Sequence, residues 1–244
     1  MSGSNDHIGA ATRRYGKATI GEAIKRLRAG GLVAVPTETV YGLAADSTDA
    51  AAVAEIYRAK GRPDFNPLIV HVPDLQAAKR LGQFNALAVR FATALWPGPL
   101  TMVVPKTEDC PVAAAVTAGL DTIALRVPAH PVMRELLETS DLCLAAPSAN
   151  RSGGISPTTA DHVSRSLGTA APLILDGGPC EQGIESTIVA VDGSDYRILR
   201  PGPVTPDQLE ATAGKPAITA GSGKIEAPGQ LASHYAPAKP VRLD

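Results

Sequence analysis

Residues 32–43 read LVAVPTETVYGL, and this stretch indicates the fold class. The apolar run at residues 32–36 has the length of a buried strand, and hydroxyl side chains follow directly where the strand ends. Because α/β sheets usually bind ligands at the ends of their strands, residues 36–43 are a candidate binding loop. A polar turn with Tyr41 in the core is the alternative, and this segment alone does not decide between them.

Outward from this stretch, helical and strand patterns alternate along the chain. Apolar residues recur at helical spacing over residues 19–29, 49–59, 85–96, 131–140 and 158–167. Short apolar runs predict strands at residues 68–72, 100–105, 122–128, 142–147, 173–177, 186–191 and 196–202. Strands interleaved with helices predict an α/β domain with a mixed, largely covered sheet.

Two helix starts carry capping signals. Thr158 with Asp161 resembles a capping box, which predicts that this helix begins near residue 158. Thr205-Pro206-Asp207-Gln208 is the stronger signal, because a threonine cap precedes a proline and a glutamine lies three residues after the cap. We therefore expect a last helix that begins at this point.

Composition limits the function classes. A net charge of −1 over 244 residues gives no global field that would gather nucleic acid. Three separated cysteines without paired spacing suit a reducing compartment better than a disulfide framework. Residues 1–10 lack the apolar region of a signal peptide, and no apolar run reaches the length of a membrane span. We therefore expect a soluble, cytoplasmic protein that does not bind membranes.

The chain divides by composition into three parts. Residues 1–16 are a polar arm that we expect to be flexible, and residues 17–213 hold the alternating elements. Residues 214–244 are rich in proline and glycine, which is typical of an extended linker or lid and not of a packed element.

The segment Lys60-Gly61-Arg62-Pro63 is a candidate phosphate site. A lysine and an arginine two residues apart, beside a glycine and before a strand, can converge on phosphate oxygens. A solvated basic turn is the alternative. His71 interrupts the apolar strand that follows, and by itself it fits a hydrogen-bonded core histidine as well as a catalytic one.

Further small polar segments follow other strands. Pro147-Ser148-Ala149-Asn150 comes directly after a predicted strand, and its backbone N–H groups could hold a phosphate, although an ordinary turn would have the same composition. The segments at 183–187 and 200–202 are weaker signals. No P-loop, dinucleotide-binding, zinc-protease or nucleophile-elbow motif occurs, and no carboxylate cluster indicates a dedicated metal site.

Five segments together carry a resemblance to a known family. PTETVYGL (36–43), KGRP (60–63) with FNPLIVHV (65–72), PSAN (147–150), ESTIV (185–189) and RPG (200–202) occur in the order and spacing of the YrdC-like threonylcarbamoyl-adenylate synthases. The resemblance covers roughly residues 17–213, which would form the catalytic domain. APGQLASHYAP (227–237) resembles the linker of the long form of this family. We expect a long-form member without most or all of the extra C-terminal domain.

The resemblance implies a fold and a reaction. The implied fold is a twisted mixed β-sheet flanked by helices, with a deep basic cavity. The implied activity is that of a nucleotidyltransferase, in which L-threonine, bicarbonate and ATP give threonylcarbamoyl-AMP and pyrophosphate. A partner transferase would then use this product to modify an adenosine of tRNA. The resemblance also leaves weak RNA binding open.

The resemblance also implies residue roles. Lys60 and Arg62 would be catalytic, and Mg²⁺ would be held mainly by ATP. The expected L-threonine contacts are Thr39, His71, Arg126 and Ser186. The expected ATP contacts are Lys60, Arg62, Asn66, Thr122, Ser148, Asn150, Ser156 and Arg200, with His234 and Tyr235 as lid residues from the tail.

Two alternative functions stay open. One is a carbamoyl-adenylate-forming enzyme of another pathway, although such proteins carry extra modules that this sequence does not show. The other is a non-catalytic module that binds double-stranded RNA, to which the net charge of −1 gives no support.

Overall fold

The computed structural model describes residues 12–218 and 227–228, so the lid residues His234 and Tyr235 lie outside the described part. Within it, ten strands form one mixed sheet in the order β1-β8-β2-β3-β7-β4-β6-β5-β9-β10. The strands are β1 (Thr12–Arg14), β2 (Val33–Pro36), β3 (Tyr41–Asp46), β4 (Ile69–His71), β5 (Leu100–Pro105), β6 (Thr122–Arg126), β7 (Leu144–Ala145), β8 (Leu173–Asp176), β9 (Thr187–Asp192) and β10 (Asp195–Arg200). The α-helices are α1 (Lys17–Arg28), α2 (Ala50–Lys60), α3 (Leu75–Leu81), α4 (Ala86–Leu95), α5 (Pro131–Ser140), α6 (Ala160–Leu167) and α7 (Pro206–Ala213).

The predicted fold class, a mixed sheet flanked by helices, is confirmed. The sheet contains parallel pairs, such as β4 with β6 and β5 with β9, and antiparallel pairs, such as β2 with β3. The strong cap at Thr205 is also confirmed, because its side chain accepts from Gln208 N and the reciprocal bond from the threonine N–H is present.

Several local expectations differ from the structure. Strand β3 (Tyr41–Asp46) overlaps the end of residues 36–43, which the pattern predicts to be a binding loop or turn, and α3 lies where no element is predicted. Helix α6 is capped by Thr159 and not by Thr158, because the Thr159 hydroxyl accepts the free N–H of His162. Residues 12–14, part of the predicted arm, pair with β8 as an edge strand.

The two faces of the sheet are covered differently. One face, from β8 to β10, packs against α2, α3, α4, α6 and α7. On the other face, α1 and α5 cover only the half that contains β8, β2, β3 and β7. In the remaining half, a small apolar cluster of strand residues has no helix over it within the described part of the chain. Its members are Ile69, Val103, Ala124, Ile188, Ala190 and the tail residue Ala227.

Among the described residues, none of the helices combines the length and the apolar character needed to cross a membrane.

Candidate active site

A cavity opens beside this uncovered apolar cluster. It encloses about 490 Å³ of space free of protein atoms, part of which is open to solvent. Seven of the predicted site residues line it, namely Thr39, Arg62, His71, Arg126, Ser148, Ser186 and Arg200. The structure therefore brings seven of the twelve predicted residues that lie in the described part of the chain to one candidate active site.

The turn between β2 and β3 presents hydroxyl groups to the cavity. Thr37 Oγ1 donates to the carbonyl of Val40 at 2.7 Å and lies 2.8 Å from Thr39 Oγ1. Both threonines are buried. The turn is therefore held by its own side chains, with the Thr39 hydroxyl in a fixed position.

Arg126, at the end of β6, is buried and fully oriented by its neighbours. Its guanidinium donates to Glu38 Oε1 at 2.6 Å, to Thr39 Oγ1 at 3.0 Å and to the carbonyl of Gly98 at 3.3 Å. The other oxygen of Glu38 accepts the backbone N–H of Ala129 at 3.0 Å. Burial alone would raise the pKa of Glu38, but the charge and hydrogen bond of Arg126 lower this pKa overall, so the pair is ionised.

A β-bulge aims Arg200 at the cavity. Ile198 pairs with Val189, but Arg200 pairs with the next residue, Ile188, so Leu199 is the extra residue. Because side chains alternate along a strand, Arg200 would otherwise lie on the helix-covered face with Ile198. The bulge moves it to the face of the sheet that carries Ile188 and the uncovered apolar cluster, where it lines the cavity.

Arg200 there holds the segment that precedes β9. It donates through Nε to the carbonyl of Ser186 at 3.0 Å, through Nη2 to Ser186 Oγ at 3.0 Å and through Nη1 to Glu185. Gly202 lets the segment after β10 pack closely against residues 185–187, because a Cβ at that position would lie 2.4 Å from the backbone nitrogen of Thr187. The glycine of the RPG segment is thus required by close packing.

Lys60 and Arg62 flank the left-handed Gly61, which ends α2. Arg62 lines the cavity and donates to the carbonyls of Asn66 and Pro67 at 3.2 and 2.9 Å. Lys60 does not line the cavity. Its ammonium binds the carbonyls of Ser148 and Asn150, and burial together with the charge of Arg62 lowers the pKa of Lys60 to about 7.

Among the described residues, three buried polar side chains have unpartnered atoms, and two of the three, His71 and Asn66, are predicted site residues. The Nδ1 atom of His71 has no hydrogen-bond partner there, and neither does the side-chain amide of Asn66. Burial and the charge of Arg126 lower the pKa of His71 to about 3, so the imidazole is neutral at pH 7. A neutral imidazole at a cavity wall can exchange a hydrogen bond with a polar group of a ligand.

The other predicted residues lie around the cavity without lining it. Asn66 is buried, and its carbonyl accepts from Arg62 Nε at 3.2 Å. Asn150 is also buried, and its carbonyl accepts from Lys60 Nζ at 2.6 Å. Ser156 donates to Glu185 at 2.7 Å. Thr122 starts β6 and lies on the same face as Arg126, roughly 13 Å away along the strand.

Besides Thr37 of the turn between β2 and β3, three described residues that the sequence did not single out belong to this site. Glu38 and Glu185 bind the two buried arginines, and Thr101 bonds to Ser186 at 2.8 Å. Both glutamates lie inside the quoted motifs. A carboxyl group next to a predicted buried strand could have indicated that each of them binds a buried cation. Thr101 gives no such signal, because a threonine is ordinary in a strand.

Within residues 12–218 and 227–228, no group of three histidine, cysteine or carboxylate side chains could hold a metal ion. The carboxylates nearest the cavity, Glu38 and Glu185, are engaged by arginines.

Residues 25–202 match the family model Sua5_yciO_yrdC, which is described as telomere recombination. The threonylcarbamoyl-AMP synthase of Bacillus subtilis is 42% identical over 229 residues, which cover 92% of this chain and 66% of that protein. The synthase of Pyrococcus abyssi is 42% identical over 221 residues, which cover 88% of this chain and 64% of that protein. The chain therefore spans slightly less than two thirds of the length of these relatives.

A solved structure shows that the fold of this chain is also similar to that of such a relative. The crystal structure of P. abyssi Sua5 complexed with L-threonine is similar with a TM-score of 0.87 and 39% sequence identity. The similarity covers 94% of this chain and 69% of that one.

Proposed function

The chain belongs to the Sua5/YciO/YrdC family, and from this premise we propose that it makes L-threonylcarbamoyl-AMP and pyrophosphate from L-threonine, bicarbonate and ATP. The names of the bacterial and archaeal relatives and the threonine-bound archaeal structure support the proposal. The product would pass to a transferase that modifies an adenosine of tRNA in the cytoplasm. Direct RNA binding by this chain is a weaker proposal, because nothing in its net charge favours it.

The observation that carries the proposal is the oriented Arg126 beside hydroxyl and imidazole groups in one cavity. A guanidinium has five N–H donors, and the bonds to Glu38, Thr39 and Gly98 use three of them. The remaining donors suit a carboxylate, for which the arginine fork is well shaped. The neutral His71 would bond to the hydroxyl of the bound threonine.

The chemistry requires positive charge at the other end of the cavity. The threonine amine would combine with bicarbonate to form a carbamate with loss of water. A carbamate oxygen would then attack the α-phosphorus of ATP, and the bond to the β-phosphate would break to release pyrophosphate. Because both reactants are anionic, Arg62, Arg200 and the ammonium of Lys60 would stabilise the transition state.

We propose that Mg²⁺ enters with the triphosphate. The described carboxylates near the cavity are bound to arginines, so the phosphate oxygens would be the principal ligands of the ion. Bound there, Mg²⁺ would neutralise part of the phosphate charge. The chain's own residues would orient the nucleotide and limit the access of water to the labile carbamate.

Pyrophosphate release tests this function. The purified protein is incubated with ATP, with and without L-threonine and with and without bicarbonate. We expect pyrophosphate release only when L-threonine and bicarbonate are both present. Serine and 2-aminobutyrate should be poorer substrates, because the first lacks the methyl group and the second leaves the polar groups of the pocket unpaired.

The same assay discriminates the alternatives. Release that needs carbamoyl phosphate and ignores threonine would favour a carbamoyl-adenylate-forming enzyme of another pathway. Salt-dependent binding of double-stranded RNA without ATP turnover would favour the RNA-binding module. Either result would contradict the proposed function.

A further inference from the structure

Thr101 is a buried hydroxyl beside the cavity that the proposed function does not use. It lies on β5, on the same face of the sheet as Val103 of the uncovered apolar cluster. Its side chain is fully buried, and its Oγ1 atom lies 2.8 Å from Ser186 Oγ. Within the described part of the chain, Ser186 is the only hydrogen-bond partner of the Thr101 hydroxyl.

The hydrogen bonds at Ser186 determine which hydroxyl donates. Arg200 donates to Ser186 Oγ at 3.0 Å, and an arginine cannot accept a hydrogen bond. A serine hydroxyl has two acceptor positions and one proton. If Thr101 also donates, both acceptor positions of Ser186 are occupied, and the serine proton can only go to a third group.

The opposite arrangement leaves a buried proton unsatisfied. If Ser186 donated to Thr101, the Thr101 proton would have no acceptor among the described residues, and a buried donor without a partner is costly. Ser186 lines the cavity, whereas Thr101 does not. The favourable arrangement therefore directs the one uncommitted proton of the pair, that of Ser186, toward a ligand.

We propose that Thr101 is a positioning residue that makes Ser186 a dedicated hydrogen-bond donor to an anionic oxygen of the substrate. The proposal rests on the proposed function, which places threonine and ATP in this cavity. A carboxylate oxygen of threonine and a phosphate oxygen of the nucleotide share the required chemistry, since both accept and carry negative charge. A ligand group that presents an N–H donor at this point would be rejected.

Calorimetric binding to the intact protein tests the proposal without turnover. The variants are Thr101→Val, which removes the hydroxyl at constant shape, Thr101→Ser, which keeps it, Ser186→Ala, and the double variant Thr101→Val/Ser186→Ala. The probes are L-threonine and pyrophosphate. Thr93→Val is the matched control, because within the part of the chain that the structure describes the exposed Thr93 hydroxyl bonds only to the carbonyl of Val89 in its own helix.

We expect Thr101→Val to weaken one of the two ligands about fivefold to tenfold, the loss typical of one hydrogen bond. Thr101→Ser should bind like the unmodified protein. The ligand that weakens identifies the oxygen, carboxylate or phosphate. In the Ser186→Ala background, Thr101→Val should have no further effect, because its partner is already absent. In turnover, KM for the affected substrate should rise more than kcat falls.

Three results would overturn the proposal: unchanged binding of both ligands to Thr101→Val, additive losses in the double variant, or equal losses in Thr101→Ser and Thr101→Val. If Thr101→Val does not fold, the comparison of Thr101→Ala with Thr101→Ser gives the same readout. Ligand binding without threonine-dependent pyrophosphate release would remove the proposed function alone. Failure of the unmodified protein to bind either ligand would overturn both.

Discussion

The two buried arginine–glutamate pairs of the cavity, Arg126 with Glu38 and Arg200 with Glu185, follow one bonding plan. Each arginine donates through Nε to a backbone carbonyl, through one terminal nitrogen to its glutamate and through the other to a hydroxyl group. The pairs differ in what holds the second oxygen of the glutamate. For Glu38 it is a backbone N–H, whereas for Glu185 it is the Ser156 hydroxyl.

This difference separates a fixed end of the site from an adaptable one. The backbone donor to Glu38 belongs to the segment between β6 and α5 and cannot rotate away. Ser156 lies in a loop beside Ile155 and Ile184, both of which are exposed. We infer that the Arg126 end is preorganised for a small substrate, and that the Arg200 end can adjust to a larger one.

The largest expected effect is on stability. Glu38→Ala should lower the free energy of unfolding by about 3–5 kcal/mol, because it leaves the buried Arg126 without its counterion. Glu185→Ala should cost less, about 1–3 kcal/mol, since Glu185 is the more exposed of the two carboxylates. Urea denaturation at pH 7 measures both. Equal losses would contradict the distinction between a fixed and an adaptable pair.

Glu38→Gln is the matched control, because it keeps the shape and removes the charge. The net effect of the environment is to lower the pKa of Glu38, so its contribution to stability is fully present above the ordinary carboxyl pKa. That contribution is lost as the pH falls below this value through the lowered pKa. The Gln variant should therefore lack this part of the acid dependence.

The second largest expected effect is on the rate of turnover. Replacing Lys60 or Arg62 by alanine should cost about 2–5 kcal/mol in kcat/KM for ATP, the range for truncating one partner of a buried charge contact. If these cations serve the nucleotide at the Arg200 end, the dissociation constant of L-threonine should change little. Steady-state kinetics and threonine titration measure the two quantities. Near-normal turnover in both variants would contradict the assignment.

The sequence predicts long elements and their order well, for physical reasons. The helical period over residues 131–140 and the cap at Thr205 are local signals, and both elements appear as predicted. The strand β3 is missed because YGLAAD contains a glycine, two alanines and no β-branched residue. Its strand character comes from pairing with β2 and β7, which no local pattern encodes.

The candidate site shows the same limit. Thr39, His71 and Ser186 lie in the quoted motifs, and together with Arg126 they line one cavity. The bond of Arg126 to Glu38 joins residues 88 positions apart, and the direction of Arg200 depends on a bulge at Leu199. Such contacts form only in the folded tertiary structure, so residue types and spacing could not predict them.

A third prediction uses pH to compare the pairs. The pKa of Lys60 is lowered to about 7 by burial and by Arg62, and Glu185 is the group that raises it. The profile of kcat/KM for ATP should therefore fall above pH 7 as the ammonium is lost. Glu185→Gln should move this fall to lower pH, while Glu38→Gln should leave it in place. Lys60→Arg should abolish it.

The pH dependence of the free energy of unfolding provides the control for assigning the loss of activity to Lys60. A lysine whose pKa is lowered in the folded state binds fewer protons there than in the unfolded chain between pH 7 and 10.5. The contribution of Lys60 to stability should therefore rise with pH across this window while activity falls. Activity and stability that fall together would indicate unfolding and not the titration of Lys60.

The smallest expected effect comes from Ser156, whose hydroxyl holds the second oxygen of Glu185 at 2.7 Å. Ser156→Ala should cost about 1 kcal/mol, the net value of one hydrogen bond, and should appear as a severalfold higher KM for ATP. Threonine affinity should not change, because the Arg126 pair is held by backbone. Ser152→Ala is the matched control, because Ser152 is an exposed serine of the same loop.

The variant Glu185→Gln should reduce the effect of Ser156→Ala if the hydroxyl acts through the carboxylate. An equal loss in both backgrounds would mean that Ser156 acts on the nucleotide directly, and a loss of threonine affinity would show that the two ends of the cavity are not independent.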